Sequence, residues 1–380
     1  MLRLGLLAAV VAALVFSSSA IEYEIASCDD LSIVDDQIVT GLVITSDEIA
    51  CDTYTRFRVR NTMTITATAP MVTFSNLSLK VLGNLTVEPN VIFQDVIDAP
   101  TRGGALYVQL DASATFMGTA LFQDLSVAEQ PLSDTTDFFG ITKKGGAIHN
   151  KGYLVFEKDA SFLRCEEKTL DSVNQAFGGA ISNVAKGTIW FKGKLTMEEN
   201  NADGFFEGDG GAIYNKGDIT VEGEAYFRDN TAGQGGAIAQ GPWANMIFNS
   251  FVTFFDNTCF EVFGGAVANF GGEMTFNAGV LFDDNYASSS GDGGLGGGLY
   301  NENGGVVTFI GTTTFRENWA NVGGAIYLRV DKPMYVDGNW ETPVVIYPED
   351  PADLIFEDNG ANLCPDIASR GENDECISAY

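Results

Sequence analysis

The sequence predicts an all-β fold, a right-handed parallel β-helix closed by a cap at each end, and three observations predict it. Gly-Gly-Ala-aliphatic recurs from Gly103, Gly145, Gly178, Gly210, Gly235, Gly264 and Gly323, with GGGL from Gly296 as a variant. A second signature, Phe-x-acidic-Asn, alternates with it as FRDN from Phe227, FFDN from Phe254, FDDN from Phe282, FREN from Phe315 and FEDN from Phe356. The runs between them, such as DITVEG and GVVTFIG, are short, β-branched and bounded by Gly or Asn, which is strand chemistry; no helix-period pattern of ten or more residues occurs. A period of about 33 residues with every unit equivalent stacks each strand on its own copy in the next unit, which builds a solenoid of about three strands per coil. The right hand follows by extension from the chirality of parallel β crossovers.

The first twenty residues, MLRLGLLAAVVAALVFSSSA, read as a secretory signal peptide: basic Arg3, an apolar run, and small Ser18 and Ala20 before Ile21. Residues 21–60 are expected to cap the first coil, residues 61–360 to form the repeat domain, and residues 361–380 to close it, since an open solenoid end exposes core and strand edges. No later stretch is apolar for the roughly 18 to 20 residues a membrane span needs.

A net charge of −30 coexists with 45% hydrophobic residues, enough for a large core. That charge argues against nucleic acid and anionic membranes as partners and leaves cations, basic proteins or neutral glycans. Asn76-Leu77-Ser78 and Asn84-Leu85-Thr86 are glycosylation sequons. Of the six cysteines, Cys28 with Cys51 and Cys364 with Cys376 lie near the two ends, placed to tie down the caps. Cys165 and Cys259 fall about three coils apart, ~14 Å at a strand spacing of ~4.8 Å, too far to pair.

Stacking turns each repeat position into a column. The aliphatic residue points inward in every coil: Leu106, Ile148, Ile181, Ile213, Ile238, Val267, Leu299 and Ile326. Two residues on, Asn150, Asn183, Asn215, Gln240, Asn269 and Asn301 are set to form an amide ladder at a bend. Phe93, Phe122, Phe162, Met197, Phe227, Phe254, Phe282, Phe315 and Phe356 form a second inward column. The paired glycines suit a sharp turn or a close approach.

The alternating GGAI and FxxN signatures resemble the repeats of the chlamydial polymorphic outer membrane proteins, over residues 100 to 360. That resemblance implies a right-handed β-helix used in adhesion. Members of the family end in a β-barrel translocator, which the few residues after Asn359 do not supply, so the chain is expected to be a secreted relative of the repeat region alone.

Function is sought in the outward columns. Tyr107, His149, Ser182, Tyr214, Ala239, Ala268, Tyr300 and Tyr327 follow the inward aliphatic residue and should lie outside. Tyr107, His149, Tyr214, Tyr300 and Tyr327 are therefore the candidate platform for a sugar or a protein partner. The acidic position of the second signature runs Asp95, Asp124, Arg164, Glu199, Asp229, Asp256, Asp284, Glu317 and Asp358. Within it Asp229, Asp256, Asp284 and Glu317 are candidate ligands for Ca2+ bridging successive coils, with solvation and backbone capping as the simpler use.

Enzymes of this pectate-lyase-like architecture usually cleave or epimerise acidic polysaccharides. The one histidine, in AIHNKG, does not make the Gly-His-Gly of polygalacturonase-type glycosidases. A lyase would draw on Lys143, Lys144, Lys151, Arg164 and His149, the one basic cluster in the sequence. No phosphate loop, zinc spacing, nucleophile turn or basic stripe occurs. The reading is a non-enzymatic, secreted or cell-surface protein binding an extracellular glycan or protein, with a polysaccharide lyase or epimerase as the alternative.

Overall fold

The computed structural model describes residues 22–34, 39–97, 99, 103–128, 145–168, 176–203, 208–288, 293–330, 334–336, 339–341, 344–346, 350, 353–370 and 374–377. The expected signal peptide and residues 129–144, with Lys143 and Lys144, lie outside them.

The chain is a parallel β-helix. One coil consists of four short strands, one more than the sequence suggests, as in Ile213–Asn215, Asp218–Val221, Ala225–Arg228 and Thr231–Ala232. Each pairs in parallel with its copy in the next coil, so that Ile213 lies beside Ile238, Ile219 beside Met246, Phe227 beside Phe254 and Ala232 beside Cys259. Among the described residues the second strands make a twelve-stranded sheet and the fourth an eight-stranded one. The first and third strands share a 21-stranded sheet, because two long early strands, Glu48–Val59 and Met71–Val81, run through both positions.

The coils begin earlier than the sequence suggests. Glu22–Ile25 already pairs in parallel with Gly41–Ile44, which pairs with Thr62–Ala67. Between the first two strands lies a seven-residue helix, Cys28–Val34, and Asp30 accepts hydrogen bonds from the backbone N–H groups of Ala26 and Ser27 ahead of it. At the other end Ile367–Arg370 continues the first-strand ladder and pairs antiparallel with Asp374–Ile377. Disulfides Cys28–Cys51 and Cys364–Cys376 secure these two regions, with Cα atoms 5.2 and 5.1 Å apart, and Cys165 and Cys259 are free and buried.

Two phenylalanine columns fill the interior. In the third strand, Phe227, Phe254, Phe282 and Phe315 stack with ring centroids 4.9, 4.8 and 4.6 Å apart. In the second strand, Phe248, Phe276 and Phe309 stack at 5.1 and 5.2 Å. The columns meet edge to face, Phe248 against Phe254 at 6.5 Å and 85°, a geometry that aromatic quadrupoles favour. The second column went unread in the sequence, because Val221 interrupts it between Phe191 and Phe248.

Gly210 and Gly211 explain the doubled glycine. Gly210 has φ of 71°, and a Cβ there would lie 2.0 Å from the Ile213 carbonyl oxygen. Gly211 is pressed between coils: its Cβ would lie 2.1 Å from the Gly236 oxygen and 2.6 Å from the Thr231 backbone. Only glycine fits either place.

Candidate functional site: the columns and corners of the coil

The expected amide ladder forms. Asn150 Nδ2 donates to Asn183 Oδ1 at 2.8 Å, Asn183 to Asn215 at 2.9 Å, and Asn215 to Gln240 Oε1 at 3.2 Å. The longer Gln240 breaks the run, donating instead to the Glu273 carbonyl, and the ladder resumes from Asn269 to Asn301. A second ladder, not read in the sequence, is more regular. Asn200, Asn230, Asn257, Asn285, Asn318 and Asn359, the last residues of the Phe-x-acidic-Asn signature, join Nδ2 to Oδ1 at 2.9 to 3.0 Å. Its signal was the invariant Asn after a variable acidic residue. Cys165 takes the preceding rung, where its backbone N–H donates to Asn200 Oδ1.

The aromatic column is a correction. His149, Tyr300 and Tyr327 have no exposed surface and Tyr214 has 3%; Tyr107 alone is half-buried. The column does point away from the coil interior, as alternation requires, but a further layer covers it. Residues just ahead of the glycine pair lie across the outer face: Phe177 packs on Tyr214 at 4.6 Å, and Phe263 on Tyr300 at 4.4 Å. Short bridges from Asp209 to Gln234 and from Phe263 through Leu295 to Val322 knit the layer together. Burial raises the phenols of Tyr214 and Tyr300 well above the ordinary tyrosine value, with Asp209 and Glu302 adding to it. His149, Tyr214, Tyr300 and Tyr327 are packing groups, and Tyr107, the one partly exposed member, does not make a platform alone. Exposed rings elsewhere include Tyr286, stacked on Trp319 at 4.9 Å, where the two faces cover each other.

All nine residues of the acidic column have positive φ, between 50° and 58°. The column is a left-handed corner that sets the fourth strand's direction. Its carboxylates stand one per coil and are partly used by cations: Arg164 forms a two-pronged ion pair with Asp124 at 2.7 and 3.0 Å, and Arg228 meets Asp229 at 3.0 Å. Partial burial, then the neighbouring Asp229, raises the carboxyl of Asp256. Among the described residues no three His, Cys, Asp or Glu side chains come together to hold a metal ion, so Asp229, Asp256, Asp284 and Glu317 do not converge as Ca2+ ligands. A corner that repeats along a line spreads its oxygens and does not wrap them around a point.

Among the described residues the basic cluster does not assemble either; Lys143 and Lys144 lie outside them. His149 is buried with its ring 5.3 Å from Tyr107, Arg164 is bound to Asp124 at the third-strand corner, and Lys151 lines a separate cleft. A buried carboxylate, Glu167, is spent on structure: Oε2 accepts from the backbone N–H groups of Gly145 and Phe177 at 3.2 and 2.7 Å. A cleft of about 340 Å3 at the first corner includes Tyr153 and Lys186, which the repeat columns do not contain. No helix among the described residues is long and apolar enough to cross a membrane. No family model, no curated protein and no solved structure matches the chain.

Proposed function

We propose that the chain is a secreted or cell-surface, non-enzymatic β-helix that contacts an extracellular glycan or protein, in adhesion or in a cell wall or matrix. One observation carries this reading: the side chains that could do chemistry are committed to the rod. His149, Tyr214, Tyr300 and Tyr327 are buried, Glu167 caps two backbone N–H groups, and Arg164 is held by Asp124. What the surface offers is repetition, the same kinds of side chain presented coil after coil, which suits an extended ligand better than a single reacting bond. Two disulfides are in keeping with an oxidising compartment. Kinship with the polymorphic outer membrane protein repeats, read from the paired signatures, belongs to the same proposal.

The test is to probe arrays of glycans and of matrix proteins with the purified chain and, in parallel, to incubate it with pectate and alginate. Saturable binding without unsaturated sugar product is expected. Sustained formation of that product would replace this reading with the lyase.

A further inference from the structure

Over five successive coils the corner between the first and second strands alternates in length. It takes residues 109–112 in one coil, 151–152 in the next, then 184–187, 216–217 and 241–244. Each short corner is thus a floor between two taller walls. The first floor carries the cleft of about 340 Å3, lined by Leu110, Asp111, Lys151, Tyr153, Lys186 and Thr188.

The cleft is rigid. Asn150 fixes the floor, donating from Nδ2 to the Gly152 carbonyl at 3.1 Å and accepting at Oδ1 from the Gly152 N–H at 3.2 Å. A Cβ on Gly152 would lie 2.2 Å from the Ala112 oxygen, so the floor tolerates no side chain there. In the walls Asp111 and Lys186 hold φ of 65° and 73°, a conformation that costs a non-glycine residue about 1–2 kcal/mol. Lys186 is kept on the rim because the Gly187 N–H closes its loop onto the Val184 carbonyl at 2.8 Å.

A Lys-Gly pair recurs at this corner in three consecutive coils, at Lys151, Lys186 and Lys216, in a chain with 21 basic and 51 acidic residues. Lys216 rests over the Tyr214 ring at 5.3 Å. The next tall corner lifts Trp243 to 79% exposure with φ of 60°. A large ring held outward in a strained backbone is costly without a contact to make. Tyr153 and Leu110 add exposed apolar surface, 42% and 46%. From Lys151 to Trp243 is three coil steps, ~14 Å, the length of a short oligosaccharide.

We propose that this corner binds a short run of anionic sugar units, carboxylated or sulfated, with an acid group held between Lys151 and Lys186 and sugar faces against Tyr153 and Trp243. Among the described residues, Asp111 and Asp218 are the carboxylates that adjoin the three lysines at this corner. The charge of the whole chain does not cancel this local excess, since exposed charges are screened beyond about 8 Å at physiological salt. Three cations are too few for the long phosphate track of a nucleic acid, and aromatic faces beside cations match the apolar and acidic sides of one sugar ring.

This assignment rests on the binding function proposed above and names its ligand class. The full chain is titrated by calorimetry with an oligogalacturonate, a sulfated oligosaccharide, the neutral oligosaccharide of equal length and single-stranded DNA. Binding of an acidic sugar is expected, at least about tenfold tighter than the neutral one and weaker at high salt. The double variant K151A/K186A is expected to lose about tenfold or more. Trp243→Ala is expected to lose about fivefold with a tetrasaccharide and nothing with a disaccharide. Unchanged melting temperatures show that both variants fold. Equal binding of the neutral sugar, tighter binding of DNA, or wild-type affinity in the double variant overturns the assignment. If a neutral glycan or a protein binds instead, the broader function stands; if nothing extracellular binds, both fall.

Discussion

Asn257 Oδ1 accepts two hydrogen bonds from Asn230, one from its side-chain Nδ2 at 2.9 Å and one from its backbone N–H at 3.2 Å. Asn257 in turn donates to Asn285 Oδ1 at 3.0 Å and to the Phe227 carbonyl at 3.1 Å. One buried amide therefore satisfies groups in the coils on either side of its own. Asn257→Ala leaves several of them unpaired at once, at about 1–3 kcal/mol for a buried group. We expect a loss of about 3 kcal/mol or more, read as the midpoint of denaturant unfolding. Asn249→Ala, which removes exposed bonds to Glu222 and Asn277, is expected to cost under about 0.5 kcal/mol.

Gly211→Ala tests the reason for the repeat itself. Its Cβ would meet backbone on two sides, where no rotamer change can relieve the clash. We expect a cost of at least about 3 kcal/mol, with loss of secreted yield.

Asp256 carries a testable pH dependence. Its folded carboxyl titrates above the ordinary aspartate value, through partial burial and then the Asp229 charge. A raised folded value means the fold prefers the protonated form. The stabilisation is complete below the unfolded aspartate value, ~3.9, and is lost as pH rises through the folded value. Asp256→Asn removes the charge and suits the left-handed φ of 53° at this position. The variant should melt above the parent at neutral pH, and the gap should close as pH falls toward 4. A gap that widens on acidification contradicts the assigned direction.

Cys165 and Cys259 should resist thiol reagents in the native chain. Burial pushes the Cys259 thiol up to about 12 and the Cys165 thiol further, so neither holds appreciable thiolate at neutral pH. Labelling is expected to wait for unfolding. Selective reduction of Cys364–Cys376 should lower the melting temperature, by a stability of about 2–3 kcal/mol for a loop of this length.

The rod was legible in the sequence because stacking makes position and environment equivalent: Ile213 beside Ile238, and the doubled glycine at Gly210 and Gly211, follow from the repeat alone. The disulfides were legible from their places near the ends. The aromatic column misled because alternation tells which way Tyr214 and Tyr300 point, and is silent on what lies above them. The covering residues, Phe177 and Phe263, sit ahead of the glycine pair in stretches of variable length and composition, where periodicity carries no signal. Lys151 and Lys186 were in plain view as repeated Lys-Gly pairs. Their cleft was not, because it arises from corner length, which the columns of matched residues leave out.

In both amide ladders every amide-to-amide bond runs the same way, the nitrogen donating to the side-chain oxygen of the following coil's amide. An asparagine turned over would set donor against donor on one side and acceptor against acceptor on the other, so the polarity of the column holds throughout or fails throughout. A whole unit carries one donor and one acceptor per column and can be duplicated or excised with the polarity intact, whereas half a unit strands an amide in the dark. The spacing at which such a gene can lengthen or shorten is thereby set by a hydrogen bond.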